Sequence, residues 1–116
     1  MFTVYAVVAV VTILANVGIA VADLAKADFV LANSAEVGVP RSWLPVLAVL
    51  KLAGAAGLLL GLLWVPALGV AAAVGLVVFY SGAVAAHVRA RVLYNIAFPG
   101  AFLALAVASL ALAFTM

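Results

Sequence analysis

Four apolar runs, at 2–22, 43–63, 67–86 and 94–114, alternate with short polar interruptions, and a single lysine, Lys51, breaks the second. A helix needs about 20 residues to cross the hydrocarbon of a bilayer. In lipid each run must satisfy its own backbone hydrogen bonds, so each is predicted to be a helix. Pro66, in "WVPALG", suits a helix start and cannot continue one, which makes the second and third helices antiparallel neighbours. Pro99-Gly100 is placed to kink the fourth helix near one end. The first connection, "DLAKADFVLANSAEVGVPRS", is the long one, and it holds all three acidic residues. There Leu24, Phe29, Val30 and Leu31 alternate with Lys26, Asp28 and Asn33 at helix-compatible spacing. This predicts either an extension of helix one or a short amphipathic helix at the interface. Gly38 and Pro40 would end that segment, and Ser42 would cap the next helix, with Pro45 in its first turn. The predicted architecture is all-α: one integral membrane four-helix bundle with a short helical segment between helices one and two.

Composition turns this pattern into a membrane assignment. Of 116 residues, 72% are hydrophobic and 7% charged, whereas a soluble domain carries about a quarter charged residues. The four spans nearly exhaust the chain and leave no soluble domain for chemistry in water. The N-terminal run has no basic leader and is longer than a signal-peptide core, so it is expected to be retained as a helix. The net charge of +2 comes from scattered residues, not a basic patch, and excludes a nucleic-acid surface. With no cysteine and one histidine, the chain offers no thiol chemistry, iron–sulfur ligation, bis-histidine haem or metal site. The basic residues set orientation instead. Lys26, Arg41, Arg89 and Arg91 all fall on connections one and three, and the opposite side carries none. The positive-inside rule puts that side in the cytoplasm and both termini outside.

Helical spacing gathers the polar residues. Tyr5, Thr12, Asn16 and Asp23 share one face of helix one, and Tyr80 and His87 share one face of helix three. Gly57 and Gly61 form a GxxxG pair, with Gly54 beside Lys51, so Lys51 borders the packed side of helix two. At 1.5 Å per residue, Asn16, Lys51 and Tyr80 lie about 10 to 12 Å in from the charged side. Asp23, His87 and Glu36 would sit above them at the rim, beside Arg89. These seven residues outline a shallow polar pocket and are the candidate ligand-binding set. Each also has a plain structural role open to it. Lys51 can snorkel to the interface, His87 can be an interfacial residue beside the arginines, and Asn16 can be an interhelical hydrogen-bonding group. In either case Asp23 or Glu36 is available as a partner for Lys51.

The stretches "AEVGVPRSWLPVLAVLKLAGAAGLLLGL", "GVAAAVGLVVFYSGAVAAHVRAR" and "FPGAFLALAVASLAL" resemble the DoxX-like family of small bacterial membrane proteins. The specific parts are the "VPRSWLP" entry, the helix carrying Lys51 and the "AHVRAR" exit carrying His87 and Arg89. The resemblance implies four membrane helices in a bacterial inner membrane. Some relatives are named as membrane subunits of thiosulfate–quinone oxidoreductases, and others as partners in membrane redox-defence assemblies.

Three functions follow as expectations. The first is a non-enzymatic accessory or ligand-binding membrane subunit, acting with a membrane protein partner or a second copy of itself. The second is a component of a quinone-linked oxidoreductase. Its electron carrier would be an exchangeable quinone, because the chain itself holds no cofactor, and Lys51 and Tyr80 would donate to the quinone's carbonyl groups. The third is a small-molecule transporter. Small multidrug transporters have a carboxylate within helix one, whereas here the first carboxylate is Asp23 at its end. Lys51→Met is expected to preserve the bundle while abolishing ligand retention.

Overall fold

A computed structural model describes residues 1–115. Its elements are α1 (Phe2–Leu24), α2 (Asp28–Glu36), α3 (Leu44–Leu63), α4 (Pro66–Arg89) and α5 (Ala97–Ala113), with a 3₁₀ turn at Arg41–Trp43 before α3. α1 packs on α3 and α5, α3 on α4, and α4 on α5, closing a four-helix ring. Three helices are long and apolar enough to cross a membrane, and α5 is a shorter apolar helix. The chain is an integral membrane four-helix bundle, 40 Å along its long axis. α2 is the separate short helix predicted between the first two spans.

The bundle is inside-out relative to a soluble protein. Large apolar side chains such as Val7, Leu14, Val46, Leu63 and Val78 face outward, while much of the interior is alanine: Ala9, Ala20, Ala48, Ala55, Ala73 and Ala106. Lipid tails are as apolar as leucine, so outward leucines cost nothing and close backbone approach holds the helices together. The α3–α4 seam shows this. Gly54 faces Leu76, and Gly57 faces Ala72, whose Cβ would lie 2.6 Å from a Cβ added at Gly57. A Cβ at Gly61 would fall on the backbone N and Cα of Gly69. The two-residue turn Trp64–Val65 makes this register obligatory, with both its N–H groups donating to the Leu60 carbonyl at 2.8 and 3.0 Å.

Three helices stop by the same device. After α1, Lys26 adopts φ 54°, and Ala27 N–H reaches back to Ala22 O at 3.0 Å. After α2, Gly38 has φ 77° and Val39 N–H donates to Ser34 O; after α4, Arg91 has φ 59° and Val92 N–H donates to His87 O. These are left-handed helix terminators that satisfy the last carbonyls. Lys and Arg occupy a conformation usually given to glycine, where their charge also complements the negative helix end.

Two local expectations change. Ser42 does not cap α3: it lies in the 3₁₀ turn, and α3 starts without a side-chain cap bond. A cap at Ser42 would accept an N–H two or three residues on, and Pro45 removes the second of these, leaving Leu44 alone. The fourth apolar run begins its helix at Ala97 rather than at 94. Pro99 therefore sits in the first turn of α5, where its missing N–H has no helical acceptor, and it marks a start rather than a kink.

Candidate functional site

α1 buries a single stripe: Tyr5, Ala9, Thr12, Asn16, Ala20 and Asp23. Its spacing of three and four residues is the seam of a packed helix. The stripe ends on Asp23, and there α3 supplies its partner. Lys51 Nζ donates to Asp23 Oδ2 at 2.6 Å, with Lys51 8% and Asp23 3% exposed. The lysine chain runs along the bundle to reach the carboxylate, so snorkelling and a buried ion pair are here the same arrangement. Nζ also stands 5.5 Å from the centroid of the Phe79 ring, within the range of a cation–π attraction. An ammonium has three donors and a carboxylate two acceptor oxygens. The pair is neutral as a whole but keeps hydrogen-bonding capacity on both partners.

A second polar group lies deeper and is separate from the first. Tyr80 Oη donates to Asn16 Oδ1 at 2.6 Å, and Asn16 Nδ2 donates to the Thr12 carbonyl at 2.8 Å. Thr12 Oγ1 donates to Val8 O at 2.7 Å and lies 3.1 Å from Ser109 Oγ. The column ties α1 to α4 and α5 at mid-depth. An amide and a backbone carbonyl interrupt the hydroxyl groups, so it does not form a proton relay. Its role is to satisfy polar groups that lipid cannot.

The rim is a third group. His87 Nδ1 lies 2.8 Å from the Ala83 carbonyl, and Nε2 lies 3.0 Å from Asn33 Oδ1. Asn95 Nδ2 donates to the same Asn33 oxygen at 3.1 Å, leaving its own Oδ1 buried without a partner. Tyr94 Oη donates to Glu36 Oε1 at 2.6 Å. That hydrogen bond, helped by some burial and by the charge of Glu36, raises the Tyr94 phenol above its ordinary range. These contacts fasten α2 to α4 and to the connection before α5.

Between the ion pair and the rim is a cavity of about 730 Å³. Asp23, Lys51, Tyr80, His87 and Glu36 all line it, with Asn33, Tyr94 and Asn95 at the rim. Its walls are apolar and aromatic: Phe29, Trp43, Phe79, Phe98 and Phe102. The Tyr80 and Phe102 centroids are 5.2 Å apart, and those of Phe98 and Phe102 5.3 Å. Apolar walls with a few convergent polar groups are the usual make-up of a small-molecule site.

Two of the seven candidate residues lie elsewhere. Asn16 is fully buried behind Tyr80, and Arg89 borders a smaller depression of about 520 Å³ that shares Glu36 and Trp43 with the main cavity. Tyr80 offers the cavity its ring, because its hydroxyl hydrogen is given to Asn16. Asn33, Tyr94 and Asn95 are the rim residues that spacing did not select. Their one signal is that they are polar residues flanking apolar segments, and nothing in helical periodicity pairs α2 with the α4–α5 connection. Among the described residues no three His, Cys, Asp or Glu side chains cluster as a metal site would require.

No curated protein and no solved structure matches the chain. The sequence model of the DoxX-like family matches residues 7–109, nearly the whole chain, and covers the α1 stripe from Ala9 to Asp23, the Lys51 helix and the His87 rim together. This small membrane protein belongs to the DoxX-like family.

Proposed function

We propose that the chain is a non-enzymatic binding subunit of the bacterial cytoplasmic membrane that holds an amphiphile in the cavity beneath α2. The observation that carries this reading is the Lys51–Asp23 pair at 2.6 Å, lining an otherwise apolar and aromatic cavity of about 730 Å³. A buried ion pair is weak evidence for stability, because apolar residues of similar volume do as well or better. An intramembrane charged residue is by default the mark of a functional site, and here the pair would receive a polar headgroup. The ligand's polar head, bearing a carbonyl or an acid, meets the spare hydrogen-bonding positions of the pair, and its apolar part lies against Phe79, Phe98 and Phe102.

The aromatic walls favour one version of this reading. A planar quinone head would lie against the rings of the wall, with a Lys51 N–H directed at its carbonyl, and the chain would then be the quinone-holding component of an oxidoreductase whose other redox centres belong to a partner. The residues fit such a group with one donor rather than two, since Tyr80 is already committed to Asn16.

Native mass spectrometry of the full chain from mild detergent tests both versions. A retained lipid-sized molecule, absent from an Asp23→Leu/Lys51→Met double variant of equal stability, is the expected result. Its mass and absorbance separate a quinone from another amphiphile, and a co-purified protein would identify a partner. A wild-type chain that retains nothing, or a double variant that retains the same molecule, overturns the reading. The orientation is tested separately. A reporter at the C-terminus that works only outside the cytoplasm should be active, because Lys26, Arg41, Arg89 and Arg91 hold the opposite side in.

A further inference from the structure

The cavity has a side opening as well as a cover. From their turn upward α3 and α4 touch, through Gly61 against Gly69, Gly57 against Ala72 and Gly54 against Leu76. The same antiparallel register carried about one turn further sets Lys51 opposite Phe79, and Nζ stands 5.5 Å from that ring. Another turn sets Leu47 opposite Ala83. All four of these residues line the cavity. Above Gly54 the two helices therefore face each other across the cavity instead of packing together. They form a fork that closes at Gly54 and Leu76.

The fork is open on its outer side. Leu50 and Val78 flank it, and both line the cavity while 49% and 67% exposed. A side chain that borders the cavity and the outside at once marks where the two meet. Gly82, one turn above Val78, is exposed, lines the cavity and leaves the gap unfilled: a Cβ added there meets nothing within 4 Å. The rim is closed by a different means, the hydrogen bonds that join α2 to His87 and Tyr94 and to Asn95. The ion pair ties α3 to α1, its other neighbour, and leaves the fork free.

Depth decides what the opening can hold. At 1.5 Å per residue, Leu50 and Val78 lie roughly 14 and 16 Å along their helices from Arg41 and Arg89. An opening at that depth faces acyl tails, not headgroups or water, and its edges are aliphatic. The part of a ligand that rests in it is hydrocarbon. At the inner end Asp23 and Lys51 already neutralise one another, so a phosphodiester would bring an unmatched charge into a dry site, which is costly. A small uncharged head with a carbonyl brings none.

We propose that the fork is a lateral doorway for an amphiphile with a small, uncharged, carbonyl-bearing head and a single tail. The head enters from the leaflet on the Arg41–Arg89 side and stops at Lys51 and Asp23. The tail stays between Leu50 and Val78 and runs out into lipid. One gap between one pair of flanking side chains takes one tail. The doorway rests on the binding role proposed above and gives that site its class of ligand and its path.

The probe is a long-chain methyl ketone with a diazirine at mid-tail, added to the full chain in phosphatidylcholine nanodiscs, which present a diacyl lipid in excess. Photolysis should give adducts on Leu50 and Val78 that surplus diazirine-free ketone removes. Gly82→Phe sets a ring in the gap and should lower both the adducts and the retained ketone several-fold. Gly75→Phe is the matched control: it lies two turns away on α4, is exposed, meets nothing within 4 Å and is not part of the cavity wall, so it should label like the wild type. Gly82→Ala, too small to block, should do the same. If Gly82→Phe does not fold, the positions of the wild-type adducts decide alone. Competed adducts on Phe29 or Phe98, the exposed wall residues on the α2 and α5 side, would overturn the doorway and leave the binding role standing. Equal labelling of Gly82→Phe and wild type would do likewise. Adducts that persist in Asp23→Leu/Lys51→Met, or a wild type with no competed adduct, would overturn both.

Discussion

The α3–α4 seam and the rim beneath α2 are built by opposite means. At the seam, glycine lets two backbones touch. At the rim, α2 is pinned by side chains that bridge long sequence separations: Asn33 to His87, Asn95 to Asn33, and Tyr94 to Glu36. Packing is additive over many contacts and tolerates no intrusion. A hydrogen-bond cluster depends on few atoms and on their geometry. The seam therefore belongs to stability and the rim to enclosing the cavity. The Lys51–Asp23 pair lies between them, buried as deeply as the seam but open to the cavity that the rim covers.

The largest effect should come from breaking that pair on one side only. From sequence, Lys51→Met looked harmless to the bundle, because methionine is long and apolar. The structure changes that expectation, since Asp23 would lose its only salt-bridge partner among the described residues. Removing one member of a buried pair destabilises by about 3–5 kcal/mol, whereas replacing both with apolar residues is often neutral. Lys51→Met should therefore lower stability sharply in a denaturant titration in micelles, and Asp23→Leu/Lys51→Met should recover most of the loss. A single variant as stable as the wild type would mean that water already reaches the pair.

The seam comes next, and its glycines should rank by what a methyl group would strike. Gly61→Ala meets the backbone of Gly69, which cannot move aside, and overpacking of this kind costs about 1–3 kcal/mol or more. Gly57→Ala meets the Cβ of Ala72, a smaller obstruction, and Gly75→Ala meets nothing within 4 Å. Glycine inside a helix is worse than alanine by about 0.5–1 kcal/mol, so Gly75→Ala should be neutral or slightly stabilising. Equal gains at all three positions would show that helix propensity, not the seam, sets the response.

The same contrast explains what the sequence could disclose. Gly54, Gly57, Gly61 and Pro66 declare the seam, because small-residue spacing and a proline helix start are local signals. The stripe from Tyr5 to Asp23 was equally legible, since a helix has one period. Which group would receive the Lys51 ammonium was not, because Asp23 and Glu36 are both compatible with its reach. The pairing was decided by the position of α2, which carries Glu36 away to Tyr94. Asn33 and Asn95 were hidden for a related reason: their meeting depends on two connections folding over the same end of the bundle. Local periodicity carries no information about that.

A smaller effect is expected in the mid-depth column. Tyr80→Phe removes the hydroxyl that donates to Asn16 Oδ1 and keeps the ring that packs beside Phe79 and Phe102. Interhelical hydrogen bonds of this kind in membranes average about 0.6 kcal/mol and reach about 1.7. The loss should fall in that range. Ligand retention should survive, because the hydroxyl hydrogen points to Asn16 rather than into the cavity. A Tyr80→Phe protein that keeps its stability but loses its co-purified molecule would move the binding site down into the column.

The smallest effect on the bundle should be at the exposed pin, Tyr94–Glu36. Tyr94 donates to Glu36, and that bond raises the phenol above its ordinary range. A raised pKa means that folding favours the protonated phenol. The bond's contribution is complete below the phenol's ordinary range and is lost as pH rises through the raised value. Tyr94→Phe should leave unfolding of the bundle unchanged, since exposed contacts contribute little, while increasing the motion of a label on α2. The difference in absorbance at alkaline pH between the wild type and Tyr94→Phe isolates this phenol among the three tyrosines. Glu36→Ala should bring its titration back towards that of a free phenol, because it removes both the acceptor of the bond and the charge that opposes the phenolate. A Tyr94 that titrates identically with and without the Glu36 carboxylate would show that the pin does not hold in the membrane, and α2 would then be fastened by the His87 cluster alone.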